Sequence, residues 1–236
     1  MSFKVRIFET ELNGSLNKDN RHRLERVMRL RPGDVFVVTD GCGHEAQAVL
    51  GEGGRYSASE WLNPGREPAR KISLYAGLTK GEKFDWLVEK AVELGVAQIV
   101  PVISQNCVVK KTSEAKTDRW QKIALSAMLQ CGGCVLPEVS PPVYLKDLPE
   151  IVDGSALVLY EQGQSVEPGS FSKFAAEKNC RVLTGPEGGF SPEEISMLQK
   201  RGWQTVWLGP RIFRAETTPL IVLSVLLCGS WGQVES

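Results

Sequence analysis

Short runs of apolar residues separated by polar turns fill the first 62 residues of the chain. Residues 35–38 are consecutive apolar positions, which predict a strand, and the pair Asp40-Gly41 that follows soon after is typical of a hairpin turn. Residues 46–50 are expected to return as the partner strand. This part of the chain is therefore predicted to be a small, mostly β domain.

One helix is predicted within this region, over residues 21–30, because Leu24, Val27 and Met28 share a face at helical spacing. The whole chain has no net charge, with 28 basic and 28 acidic residues, so any signal lies in how the charges are distributed. Six Lys and Arg residues lie between positions 18 and 31, against two acidic residues. Such a basic surface favours nucleic-acid binding, and a solvated face that binds nothing is the alternative.

The pattern changes after residues 63–68, a polar segment with Gly and Pro that we take as the linker between two domains, 1–69 and 70–236. From there on, strands are predicted to alternate with helices. The strands are expected at residues 72–78, 98–102, 156–160, 181–184 and 205–208, and the helices at 82–94, 118–129 and from residue 219 onwards. This alternation predicts an α/β domain with a mostly parallel sheet covered on both faces.

The composition is that of a folded globular protein, with 42% apolar and 24% charged residues. The longest apolar run, residues 220–228, is much shorter than the roughly 20 residues that a membrane span needs. No signal-peptide pattern follows Met1. We therefore expect a cytoplasmic protein that does not bind membranes.

Cys131 and Cys134 have the spacing of a redox or zinc pair. No second pair accompanies them, and half a tetrahedral site does not hold zinc, so no metal is expected. A nucleotide-dependent oxidoreductase or a thiol protein is kept as an alternative, because Gly41 and Gly43 also imitate part of a dinucleotide-binding turn.

The first segment that indicates chemistry is the loop TGPEGGFSPEE at residues 184–194, between a predicted strand and a predicted helix. Ser191 is a favourable N-cap residue, Pro192 occupies the first helical position, and Glu194 completes a capping box. Its three glycines let the backbone pass close to a ligand, and open parallel sheets bind ligands at the carboxyl ends of their strands. The loop therefore indicates a ligand site, with an ordinary tight turn as the alternative.

The second such segment is GPRIFRAETTP at residues 209–219, which again follows a strand and precedes an apolar helix. Three charged residues, Arg211, Arg214 and Glu216, precede a buried helix. Placing charges there lowers stability unless the side chains bind a ligand or form ion pairs. The arginines suit a phosphate, or negative charge that develops on a base, and the apolar neighbours Ile212 and Phe213 could hold an adenine. An Arg–Glu pair that only fixes the loop is the alternative.

Residues 183–194 and 208–217 resemble the two signature motifs of the bacterial small-subunit (16S) ribosomal RNA uridine-N3-methyltransferase family, a member of the SPOUT class. KAVELGV at residues 90–96, after Lys80-Gly81, and RWQKI at residues 119–123 are similar to its first two helices. His22 with VMRLRPGD at 27–34 resembles its N-terminal, PUA-like domain. The resemblance covers nearly the whole chain.

The resemblance implies a SPOUT α/β domain with a C-terminal trefoil knot, preceded by a small PUA-like β-barrel domain that binds RNA. It implies a homodimer that uses S-adenosylmethionine to methylate N3 of one uridine in small-subunit ribosomal RNA, either naked or in the assembled subunit. The cofactor-binding positions that it implies are Tyr160, Glu161, Thr184, Gly185, Pro186, Glu187, Gly188, Leu208, Gly209, Ile212, Phe213, Arg214, Thr217 and Thr218.

Methyl transfer to a uridine nitrogen needs alignment and removal of the imide proton, and it needs no metal. We expect Arg211 and Arg214 to hold phosphate or stabilise the uridine anion, and Glu216 to orient an arginine or help take the proton. The target base must leave its stack to be reached. The residues expected to bind RNA are Arg21, His22, Arg23, Arg26, Arg29, Lys80, Lys83 and Arg119.

The chain departs from the family pattern at four positions. Ser126, Leu129 and Gly133 replace two acidic residues and an arginine, and Asn106 stands where an arginine is common. These departures leave a second function open, that of a non-catalytic RNA-binding ribosome-assembly factor that keeps the knotted fold.

Overall fold

The structure is a computed structural model that describes residues 5–110, 112–151, 155–161 and 178–227. The described residues form two compact units. The first contains residues up to 67 together with residues 128–136, and the second contains residues 68–127 and those from 137 onwards.

The first unit is built on a four-stranded sheet. Its strands are β1 (Arg6–Phe8), β2 (Val35–Thr39), β3 (Glu45–Leu50) and β4 (Tyr56–Ala58), in that order across the sheet. β1 pairs with β2 in parallel, and the other pairs are antiparallel. The predicted hairpin is confirmed, because β2 and β3 pair in register around the turn at residues 40–44.

The predicted helix of this unit differs from the expectation. An α-helix, α1 (Lys18–His22), is capped by the Asn17 side chain and continues into a π-helical turn, Arg23–Val27. Leu24 is fully buried, whereas Val27 and Met28 are 60% and 43% exposed, so the three residues that were predicted to share a face differ in their burial. A π turn has more residues than the 3.6 of an α-helix, so the assumed spacing does not apply here.

Residues 128–136 are held in the first unit by two acidic side chains. Glu67 accepts hydrogen bonds from the backbone N–H groups of Cys134, at 2.5 Å, and Val135, at 3.1 Å. Glu45 binds Arg6 at 2.7 Å and also binds Arg66, and the Cys134 thiol lies beside this ion cluster. The pairing offsets the cost of burying these charges.

The second unit contains a seven-stranded sheet in which every described pair is parallel. Its strands are β5 (Lys71–Gly77), β6 (Gln98–Ile103), β7 (Glu138–Val139), β8 (Val143–Tyr144), β9 (Ser155–Leu159), β10 (Asn179–Thr184) and β11 (Gln204–Val206). Their order is β11-β9-β10-β5-β6-β7, with β8 also beside β6. The prediction of an α/β domain with a mostly parallel sheet is confirmed.

The helices of this unit are α2 (Lys83–Glu93), α3 (Glu114–Cys131), α4 (Pro192–Lys200) and α5 (Thr217–Leu227). The helix predicted from residue 118 begins four residues earlier, and the one predicted from Pro219 begins two residues earlier. The first turn of α3 is polar, so apolar spacing did not mark its start. No helix in the described ranges combines the length and apolar character needed to cross a membrane.

Buried aromatic side chains fill the layers beside the sheet. Tyr75 and Trp203 meet edge to face with ring centroids 5.6 Å apart, and Phe84 of α2 packs on Trp120 of α3 at 4.5 Å. The Trp120 indole donates to Asp85 at 2.9 Å, which satisfies its polar atom in the core. The sheet edge that carries the functional loops is therefore supported by a packed core.

The predicted capping box at the start of α4 is confirmed, since Glu194 N donates to Ser191 Oγ at 3.2 Å and Ser191 N donates to Glu194 Oε2 at 3.0 Å. We expect Ser191→Ala to lower the free energy of unfolding by about 1 kcal/mol, because it removes the cap. Urea denaturation would measure this against Ser196→Ala, an exposed serine inside the same helix. Equal stability of the two variants would contradict the prediction.

Candidate active site

The strands β5, β9, β10 and β11 are parallel, so their carboxyl ends lie at one edge of the sheet. Loops at this edge enclose a cavity of about 400 Å³, which falls in the usual size range of ligand sites. Two loops form most of its wall: residues 185–190, here called the first loop, and residues 207–216, called the second loop. These are the two segments that the sequence singled out.

Most of the predicted site residues meet at this cavity. The three predicted catalytic residues, Arg211, Arg214 and Glu216, all line it. So do all of the predicted cofactor-binding residues except Thr184, Gly188 and Thr217. Phe190 and Trp207 also line it and were not predicted. Trp207 directly precedes the predicted Leu208, and Phe190 lies two residues after the predicted Gly188, and this position was the available signal.

The first loop is packed directly against the end of β5. A Cβ atom on Gly77 would lie 2.3 Å from the backbone nitrogen of Pro186, so any side chain there would force the loop away. The turn within the loop is closed by the Gly189 N–H, which donates to the Pro186 carbonyl at 2.9 Å. The close approach explains why the strand ends in glycine.

Glu187 fixes the first loop from the side of α2. Its Oε1 atom accepts hydrogen bonds from the Lys80 backbone N–H and from Lys83 Nζ, both at 3.1 Å. Burial alone would raise the pKa of Glu187, but the hydrogen bonds from the backbone and from Lys83 outweigh it and lower the pKa below its usual value. The carboxylate is therefore charged at neutral pH and holds the loop in place.

The second loop leads into α5 and leaves its side chains at the cavity. The Arg214 carbonyl accepts from the backbone N–H groups of Thr217, at 2.9 Å, and Thr218, at 3.0 Å, which begins the helix. Arg211 and Arg214 are exposed, and neither forms an ion pair with any described residue. Both guanidinium groups can therefore bind an anion that enters the cavity.

Glu216 is mostly enclosed, with only 13% of its side chain exposed. Lys83 Nζ lies 4.0 Å from its Oε2 atom, which is buried and has no hydrogen-bond partner in the part of the chain that the structure describes. The alternative in which Glu216 pairs with a loop arginine is therefore not the arrangement observed. A buried hydrogen-bond acceptor without a donor lowers the stability of the ligand-free protein. It therefore points to a ligand that donates the missing hydrogen bond.

The residues predicted to bind RNA lie in both units. Arg26 and Arg29 are exposed and have no ion-pair partner within the described ranges, whereas Arg21 pairs with Glu25 at 3.1 Å. His22 and Arg23 lie in the same helical segment. In the second unit, Lys80 and Lys83 flank Glu187, and Arg119 pairs with Asp85 at 2.6 Å.

Cys134, the second cysteine of the pair, does not have the properties of a redox cysteine. Cys134 is buried, and burial, together with the charge of Glu45, raises the pKa of its thiol. A raised pKa disfavours the reactive thiolate. Among the described residues there is no group of three or more His, Cys, Asp or Glu side chains placed to hold a metal ion.

Comparison with known families identifies both parts of the chain. A family model described as the RNA methyltransferase domain matches residues 66–227, and one described as the RNA methyltransferase PUA domain matches residues 17–58. The ribosomal RNA small subunit methyltransferase E of Bacillus subtilis is 32% identical and aligns over 90% of this chain and 88% of its own. That of Synechocystis is 33% identical, over 91% of this chain and 72% of its own.

Solved structures agree with the sequence relatives. A Legionella pneumophila protein in complex with the bound cofactor SAM superposes with a TM-score of 0.85, at 28% identity, over 97% of this chain and 98% of its own. The ribosomal RNA small subunit methyltransferase E of Neisseria gonorrhoeae, bound to S-adenosylmethionine, gives 0.80 at 28% identity, over 94% and 96%. The chain belongs to the RNA methyltransferase family, in the group of ribosomal RNA small subunit methyltransferases E.

Proposed function

We propose that this chain transfers a methyl group from S-adenosylmethionine to N3 of one uridine in small-subunit ribosomal RNA. The observation that carries the proposal is the cavity itself, which is lined by Glu216, whose buried Oε2 atom has no hydrogen-bond partner among the described residues, and by Arg211 and Arg214, which form no ion pair there. A proton acceptor beside two cations suits a substrate that loses a proton and carries negative charge as it reacts.

The residues of the cavity fit S-adenosylmethionine. The side chains of Leu208, Ile212 and Phe213 offer apolar surface for an adenine, and the carboxylate of Glu161 can accept hydrogen bonds from the polar end of the molecule. The relatives from Legionella pneumophila and Neisseria gonorrhoeae were solved with this cofactor. When bound, it would supply a methyl group on a positively charged sulfur.

The chain's own residues would prepare the uridine. Glu216 accepts the imide proton at Oε2, because this buried oxygen has no hydrogen-bond partner among the described residues. Arg211 and Arg214 hold a phosphate of the RNA or stabilise the negative charge on the base. Since the structure pairs Glu216 with Lys83 and not with an arginine, proton removal is the role that we propose for it.

The remaining features that the resemblance implies belong to the same proposal. We infer a trefoil knot around the two loops, domains at 1–69 and 70–236, with RNA bound by the first, and a cytoplasmic location where ribosomal RNA is made. A homodimer is supported by exposed Trp86 on α2 and Val225 on α5, two helices that pack together. Ile212, 83% exposed beside the cavity, would be covered by the partner subunit or the RNA.

We expect Glu216→Gln to lower the methylation rate about 100-fold or more, because an amide cannot take the imide proton. Arg214→Ala should also slow the reaction. Single-turnover methylation of small-subunit RNA, together with calorimetry of S-adenosylmethionine binding, measures both effects. Glu193→Gln, on the exposed first turn of α4, is the matched control. Undiminished rates in variants that still bind the cofactor would remove both residues from the chemistry.

Charge reversal at Arg26 and Arg29 should weaken RNA binding in a salt-dependent manner. If each arginine contacts one phosphate, the slope of log affinity against log salt becomes shallower by about 1.5 in Arg26→Glu/Arg29→Glu. Filter binding over a series of salt concentrations gives the slope. Lys178→Glu/Lys200→Glu makes the same change of charge at two other exposed positions. An identical slope in wild type and the arginine variant would overturn the assignment.

A further inference from the structure

The segment that follows β6, residues 104–107, reaches the first loop through one side chain. Asn106 Nδ2 donates a hydrogen bond to the Gly188 carbonyl at 3.0 Å. The two backbones also touch: a Cβ on Gly188 would lie 2.8 Å from the Asn106 Cβ and 3.0 Å from its carbonyl oxygen. Gly188 therefore has to be a glycine for this contact to exist.

The Gly188–Gly189 peptide is held at both of its polar groups. Its carbonyl accepts from Asn106, and its N–H donates to the Pro186 carbonyl at 2.9 Å. A planar peptide with both groups bonded has a fixed orientation. Gly189 and Phe190, which follow it, line the cavity, whereas Asn106 itself does not.

The segment that carries Asn106 is itself anchored. The Gln105 N–H donates to Glu194 Oε1 at 2.7 Å, which ties the segment to the capped start of α4. Lys110 Nζ donates to the carbonyls of Ser104, at 3.2 Å, and Gln105. The buried Cys107 thiol accepts from the Ser104 N–H at 3.3 Å. The backbone that carries the Asn106 side chain is thus held in place.

From these contacts we propose that Asn106 is a positioning residue for the cofactor site. It fixes the shape of the first loop at Gly188, the residue after Glu187, which Lys80 and Lys83 bind. In this role the amide of Asn106 stabilises the first loop inside the methyltransferase unit, so its departure from the family pattern does not by itself mark a lost contact to RNA. This inference depends on the proposed function in one respect: it takes S-adenosylmethionine to be the ligand of the cavity.

The test replaces the donor without changing the shape of the side chain. In Asn106→Asp, a carboxylate oxygen would face the Gly188 carbonyl, so we expect the Kd for S-adenosylmethionine to rise at least tenfold. Asn106→Ala loses one hydrogen bond and should raise the Kd by about three- to tenfold. Calorimetry on the full-length protein measures both. Asn106 is exposed, so neither change takes a side chain out of the core.

Gln105→Ala is the matched control, because the described contacts of Gln105 are made by its backbone. We expect the control to bind the cofactor as wild type does. At saturating cofactor and RNA, the Asn106 variants should keep the wild-type kcat and show the change in the KM for S-adenosylmethionine. Without ligand, their unfolding temperature should lie no more than about 4 °C below that of the control, because a single hydrogen bond is lost.

The inference is overturned if Asn106→Asp binds S-adenosylmethionine as tightly as Gln105→Ala, or if its kcat falls while its affinity for the cofactor is unchanged. The two proposals can fail separately. A wild-type protein that binds the cofactor and does not methylate ribosomal RNA contradicts the proposed function alone, and the comparison of variants still decides the role of Asn106. A wild-type protein that does not bind the cofactor contradicts both.

Discussion

The site depends on the parallel pairing of β10 with β5 on one side and β9 on the other. Parallel strands end at the same edge, so loops that are far apart in sequence meet there. Gly77 then allows the first loop to lie directly on the end of β5. A one-residue slip of β10 would move each of its side chains to the opposite face of the sheet and carry the loop away from Lys83. The register of the sheet therefore determines the geometry of the cavity.

The two loops of the cavity are held in different ways. Two sets of hydrogen bonds hold the first loop. Lys80 and Lys83 donate to Glu187, and Asn106 donates to the carbonyl of Gly188. The second loop is tied mainly at its end, where the Arg214 carbonyl begins α5, and its arginine side chains are exposed. The first loop, which is held in place, suits the binding of a small cofactor. The second loop, with its exposed arginines, suits the binding of a large RNA.

Five of the seven described strands of the second unit could be predicted, because they appear in the sequence as short apolar runs. The other two, β7 and β8, are two residues long and give no such run. The capping box of α4 could be predicted because all of its contacts lie within four residues. By contrast, the π turn after α1 depends on local backbone hydrogen bonds that apolar spacing does not reveal. The clamp between Lys83 and Glu187 joins residues 104 positions apart, so only the fold brings them together. The sequence therefore located the two loops, while the partners that shape them became visible in the structure.

A crystal structure of the protein with S-adenosylmethionine would test the central claim most directly. We expect density for the cofactor between the first and second loops, with its methyl group facing the space beside Glu216 and Arg214. Cofactor bound elsewhere on the chain, or loops that have moved apart with Ile212 and Phe213 filling the cavity, would contradict it.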